Sequence, residues 1–155
     1  MSGSRRPTFE ERTEIEELLL EYAHRIDTGD LVGFAELFRH GRWIGRRGVD
    51  ETLDWLRHNV VLHDGDTRVQ HLVSNVVVRV EESGDRASAR SCIAVVQQPP
   101  GKPFRTVRVN TYADTFERVD GAWRFATRSV ERELVGDDSD HLHPHSPQRK
   151  APVTP

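Results

Sequence analysis

The sequence predicts an α+β fold in which a curved antiparallel sheet wraps around helices from the first half of the chain. Two observations predict this class. Apolar residues recur at helical spacing between residues 8 and 62, whereas apolar and polar residues alternate between 68 and 134. Tight-turn sequences divide the second region into four successive strands, as in an antiparallel meander. We expect this sheet to curl around the first helix, because that helix carries an apolar stripe that must be buried.

The first helix is predicted to start at Thr8 and to end at about Ile26. Thr8 and Glu11 fit the T-x-x-E capping box, in which two side chains satisfy backbone amides at a helix start. The apolar stripe of this helix consists of Ile15, Leu18, Leu19, Tyr22 and Ile26. The following turn contains Gly29, which suits a left-handed backbone conformation after a helix.

Three shorter elements are predicted before the sheet. Asp30 is predicted to cap a second helix from 31 to about 38, and Asp50 to cap a third from 49 to about 62. A short strand is predicted at Trp43-Ile44. The four long strands are expected at 68–82, 86–98, 104–119 and 122–134. The strongest hairpin signal is Asp120-Gly121, between the last two strands.

The chain of 155 residues is most simply one domain with one core. Residues 1–7 are expected to form a flexible leader, 8–135 the folded domain, and 136–155 a polar tail that docks weakly or stays mobile. The net charge of −3 gives no general electrostatic case for a nucleic-acid partner. No apolar run suits a membrane span or a secretory signal, so a cytoplasmic protein without a membrane partner is expected.

Metal and disulfide chemistry are not expected. Cys92 is the only cysteine, which excludes an intrachain disulfide and a multi-cysteine metal site. His141, His143 and His145 form an H-x-H-x-H pattern that can bind a metal ion adventitiously, but Pro144 interrupts it and no flanking scaffold is predicted. We therefore expect neither a catalytic metal nor an organic cofactor.

Three stretches resemble the SnoaL-like branch of the nuclear transport factor 2 (NTF2) superfamily: EYAHRIDTGDLVGFAELF, VQHLVSNVVVRV and DGAWRFATRSV. The resemblance covers about residues 8–135. It implies an NTF2-like, cystatin-like α+β roll, in which a curved sheet and helices form a cone around an apolar pocket. Relatives include dehydratases, isomerases such as ketosteroid isomerase, polyketide cyclases, epoxide hydrolases and non-catalytic subunits, so the resemblance leaves the reaction open.

The resemblance also implies site residues. In dehydratases of this superfamily, such as scytalone dehydratase and bile acid dehydratases, a tyrosine and an aspartate come from the first helix and a histidine from the strand after the third helix. Tyr22, Asp27 and His71 match these positions, although Tyr22 also has a packing explanation on the apolar stripe. Some relatives use an arginine from the last strand as well. Arg128 and Arg132 both stand in that region, and the choice between them stays open.

His71 is a polar residue in an otherwise apolar strand. Strict alternation places it on one face with Val73, Asn75 and Val77. A histidine there can accept a proton at neutral pH when a carboxylate orients its other ring nitrogen, and Asp27 is the candidate carboxylate. Asp27 is also a candidate base itself in a water-poor pocket. The alternatives are a core histidine bound to a backbone carbonyl and an aspartate that belongs only to the turn.

A further group of polar and aromatic residues is predicted to bind the substrate. Its members are Asn75, Arg128, Arg132, Tyr112, Asn110, Trp43 and Trp55. Alternation places Asn110 and Tyr112 on one face with Arg108 and Asp114, either in the pocket or on an outer surface. It also groups the two arginines on one face, where an arginine can stabilise a substrate anion or enolate. A solvated or ion-paired surface is the alternative for these arginines.

The predicted function is that of a lyase or isomerase that dehydrates, isomerises or cyclises a small apolar ring or polyketide-like substrate. Asp27 and His71 are expected to act as a base and acid pair, and Tyr22 to polarise a carbonyl or a leaving hydroxyl. Arg128 or Arg132 would stabilise negative charge. Elimination next to a carbonyl requires such a base, a donor for the enolate oxygen, and an acid for the departing hydroxyl.

Two other functions remain open at this stage. A binding module or accessory subunit would use the same pocket without turnover. It is distinguished from an enzyme by whether Asp27 and His71 approach within hydrogen-bonding reach inside one closed pocket. An epoxide hydrolase-like enzyme would need a second pocket carboxylate beside an arginine, and Asp114 is the only candidate in the predicted strands.

The first long strand also bears on assembly. Both of its faces are largely apolar, so one face is expected to line the pocket and the other to meet a second subunit or an outer layer. An exposed sheet face with this much valine predicts self-association. We expect a homodimer or a homotrimer.

Overall fold

The computed structural model describes residues 3–148, and these residues form three helices and seven strands. In chain order they are β1 (Ser4–Arg5), α1 (Phe9–Asp27), α2 (Leu31–Glu36), β2 (Arg42–Trp43), β3 (Arg46–Arg47), α3 (Gly48–Asn59), β4 (Val69–Glu81), β5 (Arg86–Gln97), β6 (Arg105–Val119) and β7 (Ala122–Val135). The outermost parts of the predicted leader and tail, residues 1–2 and 149–155, lie outside the described range. Within that range no helix is both long and apolar enough to cross a membrane.

The strands of residues 3–148 form one sheet in the order β1-β4-β5-β6-β7-β2-β3. Each of the four long strands pairs antiparallel with the next, which confirms the predicted meander. β2 runs parallel to β7 and antiparallel to β3, so the connection between α2 and α3 extends the sheet beyond its last long strand. The described sheet is curved and does not close into a barrel, which confirms the predicted α+β class.

The core lies between the helices and the inner face of the sheet. α1 packs against β4 and β7 and buries its apolar stripe there, with Ile15 and Leu19 fully inaccessible to solvent. Phe38, just after α2, stacks on Phe125 of β7 with ring centroids 4.9 Å apart. The first helix therefore sits inside the curved sheet, as its amphipathic pattern predicts.

The ends of the first two helices follow the predicted local chemistry. The Thr8 hydroxyl accepts the Glu11 N–H and the Glu11 carboxylate accepts the Thr8 N–H, so the capping box is formed. Gly29 has the predicted left-handed conformation, with φ of 75°. A Cβ at this position would lie 2.5 Å from the carbonyl oxygen of Gly65, so the close approach of the two loops also requires glycine. Asp30 caps α2 as predicted.

The prediction that Asp50 caps the third helix is wrong. α3 begins at Gly48, two residues earlier, with Arg47 in the N-cap position and no side-chain cap bond. The positive φ of 66° at Gly48 turns the chain from β3 into the helix. The Glu51 carboxylate then accepts the N–H of Arg47 at 2.7 Å, which satisfies one backbone amide at the helix start.

Bulges in β4 and β7 interrupt the alternation of inward and outward side chains. In β4 the register shifts between Ser74 and Val77, and Asn75 adopts a left-handed φ of 54°. In β7 the register shifts twice, which leaves Ala126 and Glu131 without a paired partner on β6. Each extra residue moves the following side chains to the opposite face of the sheet.

The described part of the predicted leader is an edge strand. Ser4–Arg5 pairs antiparallel with the end of β4. The Arg5 guanidinium binds the Glu11 carboxylate at 2.8 and 2.9 Å, and this hydrogen bonding lowers the pKa of Glu11 from 4.5 to about 2. This differs from a flexible leader because backbone pairing and an ion pair hold Arg5 against the domain.

Residues 136–148, which we call the C-terminal segment, fold back onto the domain and differ from the predicted weakly docked or mobile tail. Four of its side chains are buried: Asp138, His141, Leu142 and Ser146. Its acidic residues bind basic residues of the sheet, as Asp140 does with Lys102 at 2.9 Å and with Arg105 at 2.5 Å. Ion pairs thus hold this segment against the sheet, which its low apolar content did not predict.

Candidate active site

The helices and the inner face of the sheet enclose a cavity of about 250 Å³. Its wall is mostly apolar and aromatic, and the C-terminal segment covers one side of it. Six of the ten predicted site residues line it: Tyr22, Trp43, Trp55, His71, Asn110 and Tyr112. Pockets for drug-sized ligands are on the order of 300–1,000 Å³, so this cavity suits a smaller molecule with one or two rings.

His71 and Asp27 form a hydrogen-bonded pair at the cavity wall. Oδ1 of Asp27 lies 2.6 Å from Nδ1 of His71, and Oδ2 accepts the backbone N–H of His71 at 3.0 Å. An ionised carboxylate only accepts hydrogen bonds, so Nδ1 carries the proton of neutral His71. Nε2 is therefore the ring nitrogen that is left to accept a proton from a ligand.

The fold positions this pair by joining the end of α1 to the start of β4. Asp27 is the last residue of α1. The hydroxyl of Thr67, just before β4, lies 3.1 Å from the carbonyl oxygen of Ile26 and 2.9 Å from that of Asp27. Because the carboxylate binds both the backbone and the ring of His71, it fixes the orientation of the imidazole as well as its tautomer.

Asp27 lies behind His71 and does not line the cavity. Asp27 contributes to a separate depression on the surface, whereas His71 lines the cavity. Both carboxylate oxygens are within hydrogen-bonding distance of His71. Of the two roles that the sequence left open for Asp27, this geometry favours orientation of the histidine over direct proton abstraction.

Tyr22 lies beside His71, and the two ring centroids are 6.3 Å apart. It belongs to the aromatic core as well as to the cavity wall, since its ring is 4.6 Å from that of Phe34. Its hydroxyl oxygen accepts a hydrogen bond from Nε1 of Trp43 at 3.3 Å. An oxygen that accepts from Trp43 still has its own proton, and Tyr22 can donate that proton to a ligand oxygen.

Tyr112 and Asn110 form a second polar group on the same wall. The Asn110 amide donates to the Tyr112 hydroxyl at 2.9 Å. Burial, reinforced by Tyr22, raises the pKa of Tyr112 well above its ordinary value, so this hydroxyl stays protonated. The sequence left open whether this face of β6 is inner or outer, and burial of both residues with Arg108 and Asp114 shows that it is inner.

Arg128 lies beneath the cavity wall, which corrects the prediction that it binds a substrate anion. Its Cζ is 4.1 Å from the ring centroid of Tyr22 and 4.4 Å from that of Tyr112. Its guanidinium binds the Asp114 carboxylate at 2.8 and 2.7 Å, and neither side chain is exposed to solvent. The ion pair supports the two tyrosine rings from behind, and Asp114 is not available to position a water molecule.

The sequence comparison agrees with this arrangement of helices, sheet and cavity. A family model described as a SnoaL-like domain matches residues 7–129. The chain belongs to the SnoaL-like family. This confirms the resemblance inferred from the sequence. Among curated proteins, none matches this SnoaL-like chain significantly.

Solved structures share the fold of this SnoaL-like chain. An NTF2-like protein with a cystatin-like fold from Novosphingobium aromaticivorans is 27% identical to this chain, with a TM-score of 0.65. The similarity covers 78% of this chain and 80% of that protein. A single-residue variant of Rv3472 from Mycobacterium tuberculosis, of unknown function, is 25% identical over 81% of this chain and 73% of its own, with a TM-score of 0.67. A candidate scytalone dehydratase from N. aromaticivorans is 22% identical over 83% of this chain and 89% of its own, with a TM-score of 0.61. These similarities confirm the NTF2-like, cystatin-like fold.

Asn75 and Arg132 lie on the outer face of the SnoaL-like sheet, which corrects the prediction that they face the pocket. They line a shallow outer groove together with Val77 and Leu134. The left-handed backbone at Asn75 turns its side chain away from the face of His71. The bulge at Glu131 likewise moves Arg132 to the face opposite Arg128.

Three ionisable residues that line the SnoaL-like cavity were not predicted as site residues: Arg108, Glu133 and His141. Arg108 binds the carboxylates of Glu133 and Asp138, the latter at 2.8 Å. Alternation along β6 could have identified Arg108, because it shares a face with the predicted Tyr112. Glu133 was not predicted because the bulge in β7 changes which face of the sheet it lies on. Nothing in the polar tail sequence indicated that His141 lines the cavity.

The tail histidines are divided between two environments. His143 and His145 stack with ring centroids 5.5 Å apart, whereas His141 is buried at the cavity. Across residues 3–148 no three His, Cys, Asp or Glu side chains are grouped so that they could hold a metal ion. The H-x-H-x-H spacing of the sequence therefore does not produce a three-histidine cluster in the described structure.

Proposed function

We propose that this SnoaL-like protein is a cofactor-independent lyase or isomerase that moves a proton on a small apolar ring or polyketide-like substrate. The observation that carries the proposal is the Asp27–His71 pair, 2.6 Å apart, whose imidazole lines a mostly apolar cavity. Family membership and the fold shared with a candidate scytalone dehydratase support dehydration as the first reaction to test.

The chemistry follows from the donors and acceptors at the cavity wall. Nε2 of His71 removes a proton from the carbon next to a substrate carbonyl, and Asp27 stabilises the imidazolium that forms. The hydroxyl of Tyr22 donates a hydrogen bond to the resulting enolate oxygen. In a dehydration, the enolate electrons expel a hydroxyl group from the β-carbon, which takes the proton back from His71 and leaves as water. In an isomerisation, His71 returns the proton to another carbon.

The cavity also restricts the substrate. Trp43 and Trp55 pack edge to face on its wall, with ring centroids 5.1 Å apart, and offer apolar contact to a flat ring. The only charged pair that lines it directly in the described structure is Arg108 with Glu133. A neutral substrate with one or two rings and a carbonyl oxygen fits this combination of size and polarity.

The proposal is tested with 3-hydroxy-1-tetralone, a two-ring ketone with a hydroxyl group on the β-carbon. Its dehydration gives 1-naphthol, so the initial rate is measured by naphthol fluorescence. We expect the purified protein to accelerate this reaction in proportion to its concentration. We also expect faster exchange of the α-protons of 1-tetralone in D₂O, followed by NMR, because this step needs a base but no leaving group.

A non-catalytic binding module gives a different outcome in the same assays. It would bind 1-naphthol in the cavity while leaving the rates of dehydration and of deuterium exchange at their uncatalysed values. That combination contradicts the proposed enzyme and supports a small-molecule-binding or accessory subunit instead.

Epoxide hydrolysis is a second candidate because Glu133, a carboxylate in the cavity wall, binds Arg108 there. This is the carboxylate and arginine combination that the sequence offered only at Asp114. A water molecule held by such a carboxylate would open an epoxide to a diol. Hydrolysis of 1,2-epoxytetralin to its diol at a rate proportional to protein concentration, without any dehydration of 3-hydroxy-1-tetralone, would favour this reaction over the first.

We also propose that the outer face of the sheet forms the contact of a homodimer or homotrimer. Leu72, Val77 and Leu134 on this face are 47%, 49% and 52% exposed. We expect sedimentation velocity at micromolar concentration to show a dimer or trimer, and Val77→Glu to shift it to monomer because an unpaired charge resists burial. Val32→Glu, at a 50% exposed position on α2, is the control that keeps the assembly. A wild-type protein that sediments only as monomer contradicts the proposal.

A further inference from the structure

The C-terminal segment contributes a side chain to the cavity. Its backbone pairs with the end of α3 and the residues that follow: the His141 carbonyl accepts the Val61 N–H at 2.9 Å, and the Asn59 carbonyl accepts the His143 N–H at 2.8 Å. An isolated bridge between Val60 and Leu142 continues this pairing. The segment thereby holds the His141 ring in the cavity wall, with its centroid 6.4 Å from that of His71.

His141 is a buried imidazole with an unsatisfied nitrogen. The residue is 9% exposed, and its Nδ1 is enclosed without a hydrogen-bond partner in the described structure. Burial, together with smaller electrostatic contributions from His71 and Arg108, lowers the pKa of His141 from 6.5 to about 3, so the ring is neutral. An enclosed N–H without an acceptor is unfavourable, which places the single ring proton on Nε2.

We propose that His141 is a substrate-binding residue, whose Nε2–H donates a hydrogen bond to a substrate oxygen in the cavity beside His71. The inference rests on the proposed function, because it concerns the same cavity and the same class of ligand, a small ring compound that carries an oxygen. It adds a specificity element from a part of the chain that lies beyond the four long strands. The site thus depends on the C-terminal segment for chemistry as well as for enclosure.

A neutral donor is the appropriate neighbour for His71. When Nε2 of His71 accepts a proton, the imidazole becomes positively charged. A second positive charge on the neighbouring His141 ring would oppose that step. Neutral His141 donates a hydrogen bond without that repulsion. Tyr22, whose ring centroid is 6.3 Å from that of His71, is also an uncharged donor, so the ligand oxygen meets uncharged donors while the proton is transferred to the base.

The test compares two ligands that differ by one oxygen, 1-naphthol and naphthalene, with binding measured by ligand fluorescence. In His141→Phe we expect the affinity for 1-naphthol to fall about three- to tenfold, as for one lost hydrogen bond, and the affinity for naphthalene to stay unchanged. His141→Gln retains an N–H donor and should recover part of the preference for 1-naphthol. Thermal unfolding of each variant checks that the domain stays folded.

Several outcomes overturn the inference. Equal losses for both ligands mean that His141 only packs against the cavity. Unchanged affinities, or a wild-type protein that does not prefer 1-naphthol to naphthalene, mean that it does not bind the oxygen. By contrast, selective loss of 1-naphthol binding in a protein that never dehydrates 3-hydroxy-1-tetralone overturns the proposed function and leaves this inference standing.

A measurement on the wild-type protein removes the dependence on variants. With ¹⁵N-labelled histidine, the ring signals of His141 should be those of a neutral imidazole at neutral pH. The Nε2 signal should shift on titration with 1-naphthol and stay in place with naphthalene. A shift of equal size with both ligands contradicts a hydrogen bond to the oxygen.

Discussion

Replacing His71 with glutamine is expected to slow the dehydration of 3-hydroxy-1-tetralone by about 10²- to 10⁴-fold, the usual contribution of a general acid–base group. Glutamine occupies similar space and can still hydrogen-bond to Asp27, but it cannot take up a proton at neutral pH. The loss should therefore appear in kcat, with little change in the affinity for 1-naphthol. Naphthol fluorescence measures both quantities, as the product rate and as ligand binding.

Two further variants make this result interpretable. His24→Gln is the matched control, since it makes the same substitution at an exposed position of α1 and should keep wild-type activity. Asp27→Asn keeps an acceptor for one N–H of His71 but removes the charge that stabilises the imidazolium, so a slower reaction is expected there too. Full activity of His71→Gln, or equal losses in His71→Gln and His24→Gln, would show that another group is the base.

Arg128→Met is expected to lower the free energy of unfolding by about 3–5 kcal/mol, the range for removing one partner of a buried ion pair. The substitution leaves the Asp114 carboxylate without its two-point partner at a position with no solvent exposure. It also removes the guanidinium from the faces of Tyr22 and Tyr112. Because domains are stable by about 5–15 kcal/mol, this loss is a large share of the total. Urea unfolding followed by tryptophan fluorescence measures it.

The double variant Arg128→Met with Asp114→Leu separates the ion pair from packing. Since it leaves no uncompensated buried charge, it should be more stable than either single variant. Arg12→Met breaks an exposed pair with Glu16 on α1 and serves as the surface control, with little expected effect. Additive losses in the double variant would mean that the ion pair itself is not the source of the destabilisation.

Local sequence signals predicted much of the fold. The capping box at Thr8, the left-handed Gly29 and the tight turns between strands each depend on neighbouring residues, and the structure confirms them. The register of the sheet was harder to predict, because the bulges at Asn75 in β4 and at Glu131 in β7 carry no distinct sequence pattern. Strict alternation consequently assigned Asn75 and Arg132 to the wrong face.

The family resemblance implied Tyr22, Asp27 and His71 as site residues, and the polar character of His71 in an otherwise apolar strand agreed with it. Tyr22 and His71 line the cavity. Asp27 binds His71 from the side away from the cavity, although the two residues are 44 positions apart in the chain. The partners of buried charges were not predictable, since Arg128 finds Asp114 on the neighbouring strand only once the register is known. His141 reaches the cavity because the backbone of the polar C-terminal segment pairs with the residues after α3. No apolar pattern in the sequence predicts this pairing.

The bulges of β7 bear on how residues are compared between members of the family. Val130 and Glu133 both line the cavity although they are three residues apart, an odd spacing that a regular strand cannot give to one face. A relative that lacks the extra residue at Glu131 would present a different set of side chains inward from the same strand. An ungapped alignment of the two strands would then equate a cavity residue with a surface residue. Transfer of functional roles along β7 should therefore follow hydrogen-bond register in structures, because residue counting is misleading there.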